Sequence, residues 1–182
     1  MPRQLVTPPV LTGAPLTELK AWLAITTARD DAELTRLLAA SLATCEAFIG
    51  VIALETTFEE IRKPSTSWQT LDISPIRAIH AVEGLTANSW RTAIFPDGYL
   101  VEITAEAEGR FRLTRPIIEK RVIVRYTVGL AFDWGLLPAD LRHGVVRLAA
   151  YHFRTREDHG AKAAPPAAVA ALWQPWRRMR LA

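Results

Sequence analysis

The stretch from Val122 to Asp158, VIVRYTVGLAFDWGLLPADLRHGVVRLAAYHFRTRED, changes its hydrophobic period once, and this change decides the fold class. Apolar side chains alternate with mostly polar ones up to about Thr127, as in a strand. After Gly135 they recur at the three- and four-residue spacing of a helix, with Pro138 suited to its first turn. The helix is predicted to run to about Asp158 and to end at Gly160. The chain therefore combines a sheet with helices.

A second helical pattern lies upstream, from Asp30 to Gly50, DDAELTRLLAASLATCEAFIG. Its apolar residues share one helical face, and Gly50 is a typical C-terminal stop. The single cysteine, Cys45, lies on this face, so we interpret it as a small buried hydrophobe rather than a reactive thiol. A shorter helix over Glu18–Ala24, capped by Thr17, is predicted before it.

The middle of the chain, from about Glu55 to Thr127, has the period of strands. Short alternating runs are separated by turn-forming residues such as Pro-Asp-Gly at 96–98. The run from Ile76 to Glu83 slips in phase, which indicates a β-bulge. This region predicts a small, mainly antiparallel sheet or half-barrel of five to seven strands.

These patterns predict an α+β fold, in which N- and C-terminal helices form a small bundle and an antiparallel β lobe is inserted between them. The predicted segments are an extended arm (1–15), N-terminal helices (16–50), the β lobe (51–135), C-terminal helices (136–172) and a basic-aromatic tail (173–182). Two separate lobes are the alternative. The two long helices are expected to pack through the apolar residues Leu34, Leu38, Leu42, Cys45, Leu141, Val145 and Leu148.

Composition excludes several classes of protein. The 182 residues carry a net charge of +3, which is too small for a dedicated nucleic-acid binder. One cysteine cannot form an intrachain disulfide. The sequence shows neither a signal peptide nor an apolar run of membrane-spanning length, so we expect synthesis in the cytoplasm of the producing cell and no membrane partner.

Catalytic and metal-binding motifs are lacking in the sequence. No phosphate loop, GxSxG elbow or HExxH motif occurs. His152 and His159 lie two helical turns apart, too far to share an ion without other ligands. The adjacent carboxylates Glu59-Glu60 and Asp30-Asp31 are interpreted as solvent-facing charge and a helix cap. We therefore expect no catalytic residue, no metal and no cofactor.

The C-terminal string from Leu172 to Leu181, LWQPWRRMRL, combines tryptophan, methionine and arginine, which are enriched at protein interfaces. Three interpretations stay open. The tryptophans fold back onto the core, the tail docks on a partner, or the arginines contact nucleic acid.

The order of these segments resembles the head–tail connector (adaptor) family of tailed phages and phage-derived gene transfer agents. The match is carried by PLTELKAWLAI (Pro15–Ile25), the helix at Asp30–Gly50, LDISPIRAIHAVEGL (Leu71–Leu85) and the stretch from Val122 to Asp158. In the last of these, a strand ends in Tyr-x-x-Gly and a long helix ends in His-Phe-Arg-x-Arg-Glu. The tail also looks like the family's ending, although Trp176 stands where a smaller aromatic is more usual.

The resemblance implies a structural, non-catalytic subunit of the particle neck. Such subunits form a ring, typically a dodecamer, beneath the portal protein; the ring extends the channel for double-stranded DNA and contacts the next neck (stopper) protein. DNA passes without sequence specificity. Three source particles are left as alternatives: an infectious phage, a defective prophage and a gene transfer agent.

Two sets of residues are the candidate sites. The portal-binding set is expected to leave the subunit body with the tail, and consists of Trp173, Trp176, Arg177, Arg178, Met179, Arg180 and Leu181. The set expected to line the DNA channel lies on predicted strands, and consists of Arg110, Arg112, Arg121 and Arg125.

Two rival functions remain. A nucleic-acid-binding regulator would use the helix pairs and the arginines, with affinity that falls steeply with salt. A small-molecule-binding or enzymatic domain would use loops of the β lobe around Trp68, Trp90 and Trp134.

Overall fold

The structure, a computed structural model, describes residues 3–155 and 165–177, and the chain divides into two compact units. The β unit comprises Met1–Pro9 and Glu55–Leu130, and the helical unit comprises Val10–Leu54 and Ala131–Ala182. Four helices and two antiparallel sheets confirm the predicted α+β fold, with helices from both ends of the chain in one bundle.

The helical unit contains α1 (Ala14–Leu23), α2 (Asp31–Ile49), α3 (Ala139–Arg154) and α4 (Ala167–Trp173). Each of the other three helices packs on α3. The predicted contact between the two long helices is confirmed, and the apolar residues assigned to it are all at most 2% exposed: Leu34, Leu38, Leu42, Cys45, Leu141, Val145 and Leu148. Burial also raises the pKa of the Cys45 thiol to about 12, in keeping with a packing role.

The helix ends follow the predicted capping only in part. Asp30 precedes α2 but makes no side-chain capping hydrogen bond, and Asp31 pairs with Lys20 instead. α2 ends at Gly50, whose φ of 78° is the left-handed conformation that glycine adopts without strain. α1 begins at Ala14, earlier than the predicted start at Glu18. Pro15 occupies the first turn, where its fixed φ and missing N–H are tolerated, and the Thr17 N–H already donates to the Gly13 carbonyl at 2.8 Å.

The β unit contains eight strands in the described part of the chain. In chain order these are β1 (Arg3–Thr7), β2 (Thr56–Arg62), β3 (Gln69–Thr70), β4 (Ile76–Leu85), β5 (Arg91–Ala93), β6 (Tyr99–Ile103), β7 (Gly109–Leu113) and β8 (Arg121–Val128). One sheet has the order β1-β2-β8-β4-β5, and the other has the order β3-β7-β6. The region from about Glu55 to Thr127 contains seven of these strands, β2 to β8, which agrees with the predicted five to seven; β1 comes from the predicted arm.

The segment predicted as an extended arm (1–15) is extended in its first part, where it forms an edge strand. Its residues Arg3–Thr7 pair antiparallel with β2, from Arg3 opposite Glu60 to Thr7 opposite Thr57. The prolines at 8 and 9 end the strand, since a proline offers no N–H to a sheet ladder. The arm is therefore an edge strand up to Thr7, and its last two residues belong to α1.

β8 is the central strand of the larger sheet and carries much of its core. Val122, Val124, Tyr126 and Val128 alternate along one face and are fully buried. The predicted bulge in β4 is confirmed, because its register against β8 shifts between Ile76 and Ala78 and again between Ile79 and Ala81.

Candidate functional site

Trp173 at the end of α4 is a core residue of the helical unit. Its side chain is fully buried, its Nε1–H donates to the Leu141 carbonyl at 3.4 Å, and its ring lies 5.9 Å from that of Phe48. A Cβ placed on Gly144 would lie 2.7 Å from Cε2 of Trp173, so only glycine leaves room for the indole here. The expectation that Trp173 leaves the subunit body is therefore wrong, because α4 returns onto α3 and buries its apolar side.

The chain beyond Trp173 keeps two members of the tail set at the surface. Residues Gln174–Trp176 form a single turn of 3-10 helix. The Trp176 side chain is 36% exposed, and the guanidinium of the exposed Arg177 lies over the Phe48 ring at 5.6 Å. The other members of the set, Arg178, Met179, Arg180 and Leu181, lie outside the described residues.

The four strand arginines belong to two different sheets. Arg110 and Arg112 lie on β7, and Arg121 and Arg125 lie on β8. Arg112 lies over the Trp68 ring at 5.2 Å, and Arg121 donates to the Thr86 carbonyl at 3.2 Å.

Glu59 on β2 forms ion pairs with Arg125 and with a second arginine, Arg91. This carboxylate is 5% exposed and accepts two hydrogen bonds of 2.8 Å from Arg91 on β5. Arg125 donates to the same carboxylate at 2.6 and 2.9 Å, and Glu83 lies 3.1 Å from Arg91. The paired arginines, Arg91 first, lower the pKa of Glu59 to about 2 and hold the carboxylate ionised.

Glu60, the next residue, is also buried and has its own partners. Its carboxylate lies 2.5 Å from Arg62 and accepts a hydrogen bond of 2.7 Å from the Tyr126 hydroxyl. Burial, and then the neighbouring Glu60, raises the pKa of Tyr126 well above its usual value. The interpretation of Glu59-Glu60 as solvent-facing charge was wrong, since both carboxylates are buried and paired. The cations at Glu59 come from distant strands, whereas the cation at Glu60 is Arg62 on the same strand.

The three histidines among the described residues, His80, His143 and His152, do not gather into a metal-binding group. His80 hydrogen-bonds with Thr127 at 2.5 Å, and the ring of His143 lies edge-on to that of Trp22 at 5.2 Å. His152 stacks against Tyr151, and His159 lies outside the described residues. Within residues 3–155 and 165–177, no three His, Cys, Asp or Glu side chains converge as a metal site would require.

The three tryptophans of the small-molecule hypothesis have different environments. Trp134 belongs to the helical unit, is 5% exposed and donates its Nε1–H to Glu18 at 2.8 Å. Trp68 and Trp90 belong to the β unit and are 44% and 74% exposed. No helix in the described ranges is long and apolar enough to cross a membrane.

Comparison with known proteins finds similar chains among solved structures of phage-like particles. No protein-family model matches the chain, and neither does any curated protein. Among solved structures, a chain from the neck of an empty gene transfer agent (GTA) particle computed with C6 symmetry matches with 28% identity and a TM-score of 0.78. A chain from the neck of a native GTA particle computed with C12 symmetry matches with 28% identity and a TM-score of 0.76.

A chain from the virion of a native GTA particle matches with 25% identity and a TM-score of 0.73. All three matches cover 100% of this chain and 98% of the other. The chain is similar over its full length to chains of the particle neck, and this likeness supports the neck (head–tail connector) family of tailed phages and gene transfer agents and a structural role in the neck.

Proposed function

We propose that this protein is the adaptor subunit of the neck, and that copies of it form a ring directly below the portal protein. The observation that supports this best is the full-length match to chains from GTA necks computed with C6 and C12 symmetry. A rotational symmetry of this kind requires heterologous contacts, in which one surface of each subunit complements a different surface of its neighbour. The ring is a dodecamer in this proposal.

The ring extends the channel through which double-stranded DNA passes. A channel wall must not hold the DNA, because each phosphate contact adds to the affinity. Arg125 fits this requirement, since its charge is matched by the buried Glu59. Arg110, Arg112 and Arg121 are the other proposed lining residues, and the first of them lies opposite Glu102 in the strand register.

The C-terminal tail joins the ring to the portal. Trp173 fixes the base of the tail in the helical unit, and Trp176 and Arg177 begin the docking segment at the surface. Arg178, Met179, Arg180 and Leu181 continue it, with arginine forks suited to carboxylate and carbonyl acceptors. Many tails on one ring raise the avidity even where each contact is weak. The opposite end of the ring receives the next neck (stopper) protein.

The test is to remove the gene and to image the particles that remain. Loss of the adaptor is expected to leave DNA-filled or emptied heads with portals but without tails, and complementation with the intact chain restores tailed particles. Cryo-electron microscopy of the complemented particles should show a ring of this chain against the portal. Tailed particles in normal yield without the protein, or density for it elsewhere, contradict the proposal.

A further inference from the structure

The β unit has two sheet edges of equal length that no strand of the described chain covers. β1 pairs only with β2 and is the outer strand of the larger sheet, and β6 pairs only with β7 and is the outer strand of the smaller one. Each has five residues, whereas the other two outer strands have two and three. An uncovered edge presents a row of N–H and C=O groups that can pair with another chain.

Both edge strands carry exposed apolar side chains. On β1, the consecutive residues Leu5 and Val6 are 49% and 40% exposed. On β6, Leu100, Val101 and Ile103 are 43–44% exposed. The register of β1 is irregular between Leu5 and Thr7. On the regular β6, successive side chains point to opposite faces, so this strand offers apolar surface above and below its sheet. Strands of this kind are typical of sheet interiors, where both faces are covered.

The usual protection of an edge strand is weak in β6 and in the regular part of β1, Arg3–Leu5, whereas the register of β1 is irregular between Leu5 and Thr7. Each carries one charged residue, Arg3 on β1 and Glu102 on β6, and neither contains a proline. The two charges have opposite sign, and both side chains are exposed. A copy of β1 is therefore complementary to a copy of β6 but not to another β1.

We propose that β1 of one subunit pairs antiparallel with β6 of the next subunit and thereby continues the sheet from copy to copy around the ring. This inference rests on the proposed ring and identifies its contact. The register places Arg3 opposite Glu102 and Leu5 opposite Leu100. The contact is heterologous, because the two edges lie on different sheets of one subunit, and this is the type of contact that a closed rotational ring needs.

The first test is disulfide cross-linking in assembled particles. Leu5→Cys and Leu100→Cys are introduced together into the full chain, which replaces the wild type in particle-producing cells. Directly opposed residues bring their Cβ atoms close enough for a disulfide. After mild oxidation, a non-reducing gel should show a ladder of multimers of this chain, and each single variant should show none. The native Cys45 is buried and should not react.

The matched control is Gln4→Cys with Leu100→Cys, because Gln4 and Leu5 lie in the regular part of β1 and point to opposite faces of the strand. Particles that contain the ring but give no ladder with the Leu5 pair overturn the β1–β6 contact and leave the adaptor function intact. A ladder with the Gln4 pair alone overturns the register. Particles in which this chain forms no ring overturn the adaptor function, and the contact with it.

A second test exchanges the charges. Arg3→Glu or Glu102→Arg alone places like charges opposite each other and should lower ring formation roughly fivefold at each contact. The double variant restores the opposite charges and should recover the wild-type yield of tailed particles. Thermal melts of the purified subunits control for folding, since both side chains are exposed. A double variant that assembles no better than the two single ones contradicts the pairing.

Discussion

The indole of Trp173 occupies the space that a side chain on Gly144 would fill. A Cβ at position 144 would lie 2.7 Å from Cε2 and 2.9 Å from Cδ1 of that ring, closer than carbon atoms approach in proteins. The two residues lie on α4 and α3, and the Trp173 Nε1–H bonds to the Leu141 carbonyl one turn before the glycine. The Trp173 ring can therefore pack on α3 only because Gly144 has no side chain, and this contact holds α4 on the bundle.

Gly144→Ala is predicted to destabilise the protein, although the same change in an ordinary helix stabilises it by about 1 kcal/mol. The added methyl group overpacks the contact with Trp173, which typically costs roughly 1–3 kcal/mol. Urea denaturation measures the change in unfolding free energy. In a Trp173→Phe background, where the ring is smaller, Gly144→Ala should lower the unfolding free energy by less than it does in the wild type. A stabilised Gly144→Ala variant contradicts the contact.

Two truncations, one after Arg177 and one before Trp173, distinguish residues proposed to dock on the portal from residues needed for folding. Deletion of residues 178–182 should leave the thermal melt unchanged and prevent the subunit from joining portal-bearing heads. Deletion of residues 173–182 should instead unfold the helical unit, because loss of a buried tryptophan costs about 3–5 kcal/mol. Calorimetry and a particle-assembly assay report the two effects. Normal assembly of the shorter deletion would show that the portal is held elsewhere.

Glu59→Gln is predicted to remove a pH-dependent part of the stability. The pKa of Glu59 in the folded protein, about 2, lies below its usual value of 4.5. Its contribution is therefore fully present above pH 4.5 and is lost as the pH falls from there towards 2. The loss at neutral pH should be at most about 3 kcal/mol, because Arg91 and Arg125 are half-exposed and partly screened by water.

Melting temperatures measured from pH 7 down to pH 2.5 test the Glu59 prediction. The difference between wild type and Glu59→Gln should shrink as the pH falls. Glu33→Gln is the matched control, since Glu33 forms an exposed pair with Arg36 one turn away on α2. That pair is worth only about 0.3–0.5 kcal/mol. If the two variants lower the melting temperature equally and at every pH, the pairing of Glu59 with Arg91 and Arg125 does not stabilise the fold as proposed.

Leu38→Ala is predicted to lower the free energy of unfolding by roughly 2–5 kcal/mol, because Leu38 is fully buried where α2 packs on α3. The exposed Ala40 on the same helix offers a control: Ala40→Ser should change stability only slightly. Urea denaturation of both variants supplies the comparison. Similar midpoints for Leu38→Ala and the wild type would place that side chain outside the core.

The isolated subunit should bind duplex DNA only weakly, with a dissociation constant above about 1 μM at physiological salt and no sequence preference. Its arginines at Glu59 are already paired, which leaves fewer charges for phosphate. Fluorescence anisotropy at several salt concentrations tests this. Tight, sequence-selective binding would instead favour a nucleic-acid-binding regulator.

The sequence by itself determined the elements whose signal is local. The period of α2, its stop at Gly50 and the phase slip in β4 could all be predicted, because helices and strands expose and bury side chains at fixed intervals. Tertiary structure decided which distant residues meet. Neither the burial of Trp173 against Gly144 nor that of Glu59 between Arg91 and Arg125 leaves a periodic trace, since the partners are tens of residues apart. The same holds for the pairing of β1, which was predicted only as part of an extended arm, because a single short strand is specified by the neighbour with which it pairs.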